Sequence, residues 1–142
     1  MQPIYVKHYS EPESFARALG FAYDALVHGP VKFDAMETWK SLAERVDQGI
    51  YMGEGLLLPH TRVSGLTEPL FAFAVCPKGF TDIKVKEGQV PQFLCLLLSP
   101  AESATAHTQV IAKIACKLLN PKWRSRALSA VTEEDMQSLF AD

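Results

Sequence analysis

The feature that most constrains the fold is an apolar run near the middle of the chain. Residues 90–98 (VPQFLCLLL) are apolar at nearly every position. A strand that is apolar without alternation is typical of the centre of a sheet that is covered on both faces. The run is too short for a membrane-spanning helix, which needs roughly 20 apolar residues. We therefore expect a central strand with other elements packed on both of its faces.

Helical patterns come before this strand. Apolar residues recur at helical spacing over residues 12–28, which predicts an amphipathic helix. A second helix is predicted from Asp34 to about Val46, because Asp34 and Glu37 have the spacing of a capping box. Each helix has an apolar stripe with which it can cover a sheet.

Helical patterns also follow the strand. Residues 99–102 (SPAE) combine a capping box with a proline at the first helical position, so a helix is predicted to start there and to end near Asn120. Thr132 opens a last helix. Residues 49–58 and 69–75 predict shorter extended segments. Helices before, between and after strands indicate an α/β fold, a three-layer sandwich that forms a single domain over residues 1–142.

The composition limits the classes of function. The chain has 142 residues, of which 48% are apolar and 21% charged, as in ordinary globular proteins. The formal net charge of -2 argues against a nucleic-acid-binding surface, which is normally basic. Three cysteines without CxxC spacing predict free thiols rather than a disulfide framework or a zinc site. The N-terminus lacks the charged start and apolar stretch of a signal peptide, so we expect a cytoplasmic protein without membrane insertion.

Two of the four histidines have a setting that favours chemistry, and His60 is the first. It follows an apolar segment and Pro59, which fixes the direction in which the chain leaves the strand. Neutral histidine is nucleophilic near pH 7, and Arg62 supplies a permanent positive charge suited to phosphate oxygens. The alternative is a loop histidine that a backbone carbonyl holds. His8 and His28 are expected to be ordinary surface residues.

His107 is the second candidate. It lies early in the predicted helix and on its apolar stripe, with Val110, Ile111 and Ile114 following at +3, +4 and +7. A polar ring at such a position usually has a specific partner. The positive end of the helix dipole disfavours its protonation and favours a nearby anion. A core histidine bonded to a backbone carbonyl is the alternative.

Both histidines lie in a sequence context that resembles a known family. The segment GEGLLLPHTR (residues 53–62) resembles the Gly-x-Gly-φ-Ala-φ-Pro-His-x-Arg signature of enzyme IIA domains of the bacterial phosphoenolpyruvate-dependent phosphotransferase system. The relevant branch is the fructose/mannitol type, which includes the nitrogen-regulatory proteins. The order that follows is also similar: Glu68-Pro69 before a strand, a strand ending in Leu-Leu-Leu-x-Pro, and a helix with an early histidine. The resemblance covers about residues 45–119.

The resemblance implies a function and a set of site residues. His60 matches the histidine that accepts a phosphoryl group from the carrier protein HPr or its nitrogen-branch counterpart. The group then passes to an enzyme IIB for sugar uptake or serves as a regulatory signal. His107 matches a second histidine that stabilises the phosphoryl group without carrying it, and Arg62 and Arg45 are expected to neutralise phosphate charge. The family's fold is a mixed sheet flanked by helices on both faces.

Two further expectations concern what the site binds. Two histidines alone supply too few ligands for a metal ion, so no metal or other cofactor is expected. The donor and acceptor proteins are expected to dock on an apolar patch around His60.

The sequence departs from the family pattern in its first 45 residues, which lack the opening expected of the nitrogen-regulatory group, and at two places in and just before the signature. GIY (residues 49–51) replaces the usual Ser-Thr-Gly, and Leu57 stands where a small residue is usual. The departures bear on which donor docks and on how efficient the transfer is. Two alternatives to a phosphocarrier therefore stay open. One is a non-catalytic signalling module of the nitrogen-regulatory type that binds a target protein, and the other is a small-molecule-binding domain that keeps only the fold.

Overall fold

The computed structural model describes residues 2–141 of the chain. Within these residues, strands and helices alternate in the order expected of an α/β protein. The elements are β1 (Tyr5–His8), β2 (Glu13–Ser14), α1 (Phe15–Val27), α2 (Ala35–Gln48), β3 (Leu56–Leu57), β4 (His60–Val63), β5 (Leu70–Val75), β6 (Phe80–Thr81), β7 (Phe93–Pro100), α3 (Ala104–Leu119), α4 (Pro121–Ser129) and α5 (Glu133–Ser138). Five strands form the main sheet, and β2 pairs with β6 apart from it.

The strand β7 is the centre of the main sheet. It pairs antiparallel with β5 on one side and parallel with β3 and β4 on the other, while β1 pairs parallel with β5. Every residue of β7 is buried. The expected central strand and mixed sheet are therefore confirmed. The strand starts at Phe93 rather than at residue 90, since Pro91 has no N–H to contribute to a ladder.

Helices cover both faces of this sheet, which confirms the three-layer architecture. Side chains of β7 alternate between the two faces. Leu96 and its alternate neighbours pack with α1 and α2, whereas Leu97 and its alternate neighbours pack with α3, α4 and α5. Burying each such leucine is worth about 1.5–3 kcal/mol relative to leaving it exposed. Both helical layers thus pack against β7, the strand that borders the candidate site.

The start of α3 differs from the prediction. Ser99 and Pro100 belong to β7, and Pro100 pairs with β4 instead of opening the helix. The N-cap is Ser103, whose hydroxyl accepts a hydrogen bond from the Ala106 N–H at 3.1 Å. The carboxylate of Glu102 accepts the Gly65 N–H at 3.0 Å instead of completing a capping box. Because the strand runs to Pro100, Ser99 is available for another role.

The sequence did not predict five of the elements: β1, β2, β4, β6 and α4. The short strand β1 pairs with β5, which is distant along the chain, and its buried residue is Val6. The helix α4 starts at Pro121 because Asn120 both ends α3 and caps α4, accepting the Lys122 N–H at 2.9 Å. None of the helices within residues 2–141 is long and apolar enough to cross a membrane.

Candidate functional site

The segment before His60 folds back on itself, and the residues that depart from the family signature brace it. The N–H of Leu58 donates to the carbonyl oxygen of Ile50 at 2.9 Å. The N–H of Gly55 donates to the hydroxyl of Tyr51 at 3.0 Å. The main-chain oxygen of Ile50 and the phenol of Tyr51 therefore stabilise the turn that precedes His60.

Gly55 joins this turn to the start of β7. Its carbonyl oxygen accepts the N–H groups of both Gln92 and Phe93 at 2.9 Å. Its φ of 80° lies in the left-handed region, and a Cβ there would lie 3.2 Å from the carbonyl oxygen of Val90. Only glycine combines this backbone conformation with such a close approach, which explains its place in the signature.

His60 is the first residue of β4 and pairs with Leu97 of β7. As predicted, it comes just after the end of a strand, β3, but it opens a second strand rather than a loop. Leu58 and Pro59 separate β3 from β4, and Pro59 has no N–H to contribute to the ladder. The carbonyl oxygen of Pro59 accepts the Leu97 N–H at 3.0 Å, and strand pairing continues at His60. The His60 side chain is half-buried and faces the ring of His107 on α3.

A main-chain carbonyl fixes the tautomer of His60. Its Nδ1 lies 2.8 Å from the carbonyl oxygen of Leu58. A carbonyl oxygen can only accept, so Nδ1 carries the proton and donates. In the neutral ring the lone pair then lies on Nε2. Nε2 is therefore the nucleophilic nitrogen.

His107 is the fourth residue of α3, close to the helix start as predicted. Its ring centroid lies 5.6 Å from that of His60, with an angle of 35° between the ring planes. Its Nδ1 is hydrogen-bonded to the hydroxyl of Ser99. The specific partner that the sequence led us to expect is thus a buried side chain rather than a backbone carbonyl.

The surroundings of His107 keep it neutral. Burial lowers the pKa of His107 most, and the nearby groups Arg62, His60 and Arg45 lower this pKa further. Its ordinary pKa is about 6.5, so the ring carries one proton at neutral pH. The neutral His107 ring therefore places no positive charge beside the His60 ring.

Arg62 and Arg45 approach the histidine pair from two different elements. Arg62 follows His60 by two residues in β4, and Arg45 lies in the last turn of α2. Both side chains are exposed, yet both contribute to the lowered pKa of His107. The structure therefore brings all four predicted site residues to one edge of the sheet.

The helix that carries Arg45 is tied to the strand that carries His60. Thr61 is buried and points away from α3, and its hydroxyl lies 2.5 Å from that of Ser41 on α2. Arg45 follows Ser41 by one helical turn. This link was not visible in the sequence, because it joins residues that neither motif nor spacing relates.

The remaining histidines lie away from the site. His28 is exposed, and its Nδ1 lies 2.9 Å from the carbonyl oxygen of Asp24. His8 differs from its expected surface position: it ends β1, is half-buried, and its Nδ1 has no hydrogen-bond partner within residues 2–141. Over the same residues, no three histidine, cysteine or acidic side chains are grouped as ligands for a metal ion.

One residue of the site was assigned another role from the sequence. Ser99 was expected to cap α3, but it contacts His107 from β7. It ends an otherwise apolar buried strand, apart from the proline that follows. A hydroxyl at the end of such a strand was the signal that could have identified it, because buried hydroxyls need partners.

The nucleophilic nitrogen, the second imidazole and the two arginine charges together form a site suited to a phosphoryl group. Comparison with known proteins identifies the family. Residues 1–142 match the family model described as "Phosphoenolpyruvate-dependent sugar phosphotransferase system, EIIA 2". The fructose-specific EIIA component of the PTS system of Haloferax volcanii is 24% identical over 132 residues, which cover 92% of this chain and 85% of the relative.

Two solved structures have the same fold. The nitrogen regulatory protein IIA-Ntr from Neisseria meningitidis superposes with a TM-score of 0.79 at 20% identity, over 98% of this chain and 95% of that chain. Mannitol enzyme IIA of Escherichia coli, in its complex with phosphorylated enzyme IIB, superposes with a TM-score of 0.76 at 16% identity, over 98% of this chain and 95% of that chain. With the family model matched from end to end, the chain belongs to the EIIA type 2 family of the phosphoenolpyruvate-dependent sugar phosphotransferase system.

Proposed function

We propose that this chain is a phosphohistidine carrier that accepts a phosphoryl group on Nε2 of His60. The donor is HPr or its nitrogen-branch counterpart, and the reaction takes place in the cytoplasm. The observation that carries the proposal is the geometry of the two histidines. Their ring centroids lie 5.6 Å apart, and Nδ1 of His60 donates its proton in a hydrogen bond to a main-chain carbonyl oxygen. This arrangement leaves a nucleophilic nitrogen in a half-buried site that a partner protein can reach.

The proposed transfer forms one nitrogen–phosphorus bond and breaks another. The Nε2 lone pair of His60 forms the new bond, while the bond to the donor's histidine breaks and its electron pair returns to the donor ring. The proton on Nδ1 of His60 stays in its hydrogen bond to Leu58. Such a transfer needs alignment and charge stabilisation more than covalent assistance.

The stabilisation would come from groups that already surround His60. The phosphoryl group carries negative charge on its three equatorial oxygens. The guanidinium groups of Arg62 and Arg45 offer charge-assisted hydrogen bonds to such oxygens. His107 offers a ring nitrogen of its neutral imidazole. The role of each residue is part of the proposal.

A shallow apolar groove beside the histidine pair offers a docking surface. It has a volume of about 110 Å³ and lies between the turn before β3 and the helix α3. Ile111 and Ala115, one and two turns after His107, form one wall. Met52 and Leu119 lie along the groove, with 54% and 67% of their surfaces exposed. Leu58 and Ile111 of this groove lie two and four residues along the chain from His60 and His107, and an exposed apolar surface can serve as a protein-binding site.

The partner of the phosphorylated chain is either an enzyme IIB, which accepts the phosphoryl group, or a regulatory target protein, whose binding the phosphoryl group controls. The structure of mannitol enzyme IIA with phosphorylated enzyme IIB shows that a protein of this fold binds a IIB partner. IIA-Ntr of Neisseria meningitidis, which has the same fold, is a nitrogen regulatory protein. Both uses begin with phosphorylation of the same histidine in this proposal, so phosphorylation is tested first.

The test is the intact mass of the protein after incubation with phosphoenolpyruvate, enzyme I and HPr from the source organism. Wild type is expected to gain one acid-labile phosphoryl group, and His60→Ala is expected to gain none. The matched control is His28→Ala, since His28 has the same Nδ1 contact to a carbonyl oxygen but is exposed and distant from His107. A wild-type protein that stays unmodified while another enzyme IIA is labelled in the same mixture would overturn the proposal.

A second incubation separates the two uses of the phosphoryl group. Phosphorylated wild type is mixed with the enzyme IIB proteins of the source organism, and the mass of each is measured. Transfer to one of them indicates sugar uptake. Retention on His60 in every mixture indicates a signalling module whose binding to a target the phosphoryl group controls.

A further inference from the structure

Ser99 is a buried polar residue whose hydroxyl has a single partner. Its side chain is 0% exposed, and it lies opposite Arg62 in the pairing of β4 with β7. Within residues 2–141, the hydrogen-bond partner of its Oγ is Nδ1 of His107. The hydroxyl thus lies beneath the second histidine of the site, where water cannot reach it.

The hydroxyl proton decides which nitrogen of His107 carries hydrogen. If Nδ1 of His107 carried the proton, Nδ1 would donate the hydrogen bond and the Ser99 oxygen would accept it. The O–H of Ser99 would then be a buried donor without an acceptor. A buried unsatisfied donor carries a desolvation penalty. If Ser99 donates to Nδ1, both groups are satisfied and the ring proton lies on Nε2. The neutral state of His107 that follows from its lowered pKa is consistent with one ring proton.

We propose that Ser99 is a positioning residue that holds His107 in the Nε2–H tautomer. The two histidines then have opposite tautomers: His60 presents a lone pair on Nε2, and His107 presents an N–H donor. This inference rests on the proposed function, in which the phosphoryl group lies on Nε2 of His60. The His107 N–H donates a hydrogen bond to an equatorial oxygen of that group and keeps its proton throughout the transfer.

The two tautomers explain why His60 and His107, which are chemically similar, have different roles. A His107 with its lone pair facing the site would repel the phosphoryl oxygens and would be a second nucleophile. With Nε2 protonated, the ring can neither accept phosphorus nor lose its donor. Ser99 acts through His107 and does not touch the phosphoryl group itself.

The first test measures the tautomers directly in the unphosphorylated protein. Long-range ¹H–¹⁵N correlation spectra of protein labelled with ¹⁵N-histidine distinguish protonated from unprotonated ring nitrogens. In wild type we expect Nδ1–H for His60 and Nε2–H for His107. In Ser99→Ala we expect the His107 signals to change towards the other tautomer or a mixture, with His60 unchanged. Nδ1–H for His107 in wild type, or an unchanged His107 in Ser99→Ala, would overturn the proposal.

The matched control for this test is Ser103→Ala. Ser103 caps the same helix through its hydroxyl, so its loss weakens α3 without removing the contact to Nδ1. The tautomer of His107 is expected to stay Nε2–H in this variant. A change as large as that in Ser99→Ala would mean that helix stability, not the Ser99 hydroxyl, sets the tautomer.

The second test is the rate of phosphoryl acceptance. Ser99→Ala is expected to slow it about tenfold, the effect of losing one well-oriented hydrogen bond in the transition state. In a His107→Ala background, the same substitution is expected to have no further effect. A tenfold slowing by Ser99→Ala that persists without His107 would contradict a role through His107. The tautomer measurement needs no phosphorylation, so its failure is distinguishable from a failure of the proposed function.

Discussion

The two histidines of the site lie on different kinds of element and are held by different kinds of partner. His60 is in an edge strand, and its Nδ1 donates to the main-chain carbonyl of Leu58. His107 is in the first turns of a helix, and its Nδ1 contacts the side chain of Ser99. A carbonyl oxygen can only accept a hydrogen bond, whereas a hydroxyl can donate or accept one.

This difference has a consequence for how easily each ring can be altered. A side-chain substitution at residue 58 leaves the main-chain carbonyl in place. The hydrogen bond that sets the tautomer of His60 therefore does not depend on any other side chain. The state of His107 depends on one replaceable hydroxyl and on nearby charges. The strand therefore supplies a fixed nucleophile, and the helix supplies an adjustable partner.

The largest expected effect separates the two halves of the site. His107→Ala is expected to slow phosphoryl acceptance by about tenfold to a hundredfold, because a hydrogen bond to a charged group is lost. The final yield is expected to stay at one phosphoryl group per chain, since the nucleophile is intact. Rapid-quench mass spectrometry measures both quantities. Complete loss of phosphorylation would show that the two histidines do not have separate roles.

A second prediction concerns the contact that holds β4, the strand that carries His60, against α2. The hydroxyl contact between Ser41 and Thr61 is expected to stabilise the fold by about 1 kcal/mol. A double-mutant cycle with Ser41→Ala and Thr61→Val, followed by chemical denaturation, gives this coupling in the free energy of unfolding. Thr108→Val is the control, because Thr108 makes a local hydrogen bond on an exposed helix surface. A coupling near zero would mean that α2 and β4 are held together by other contacts.

A third prediction tests how the charges of Arg62 and Arg45 change the pKa of His107. Removing a nearby positive charge makes protonation easier, so Arg62→Ala and Arg45→Ala should each raise the pKa of His107. The larger rise is expected for Arg62, which contributes more to the lowered pKa. NMR titration of the His107 ring measures the change. Arg17→Ala is the control, since Arg17 lies on α1 and has no part in this pKa. An unchanged pKa in both site variants would contradict the electrostatic coupling.

The smallest expected effect is on stability as a function of pH. The folded-state pKa of His107 lies below its unfolded value of about 6.5. The unfolded chain therefore binds more protons in the window between the two values, and the stability due to neutral His107 is lost as pH falls from about 6.5 through the folded pKa. Wild type should lose more stability on acidification than His107→Gln. Parallel curves for the two proteins from pH 7 to pH 5 would contradict the lowered pKa.

Much of the architecture was predictable because it is encoded locally. The continuous apolar run of β7 and the capping box of α2 predicted elements that are present, and Asp34 caps α2 as expected. The strand β1 was missed because four residues carry little periodicity, and it forms through pairing with β5, which is distant along the chain. The helix α4 was missed because Pro121 was interpreted only as the end of the preceding helix, not as the first residue of the next.

The candidate site divides in the same way. The signature around His60 and the apolar stripe of α3 identified both histidines, and the structure places them face to face. The contact between Ser99 and His107 was not predictable from spacing. It requires β7 to continue to Pro100 and the chain to turn back before α3 starts. A local capping motif was favoured over this tertiary contact, and the tertiary contact is the one that forms.

The most direct measurement of the central claim is the site of attachment of the phosphoryl group. Protein labelled with ¹⁵N-histidine is phosphorylated, and the nitrogen bonded to phosphorus is identified from ¹⁵N–³¹P coupling and long-range ¹H–¹⁵N correlations. The fixed tautomer of His60 predicts phosphorus on its Nε2, with Nδ1 still protonated and bonded to the Leu58 carbonyl oxygen. Phosphorus on Nδ1 of His60, or on His107, would contradict the assignment of His60 Nε2 as the nucleophile.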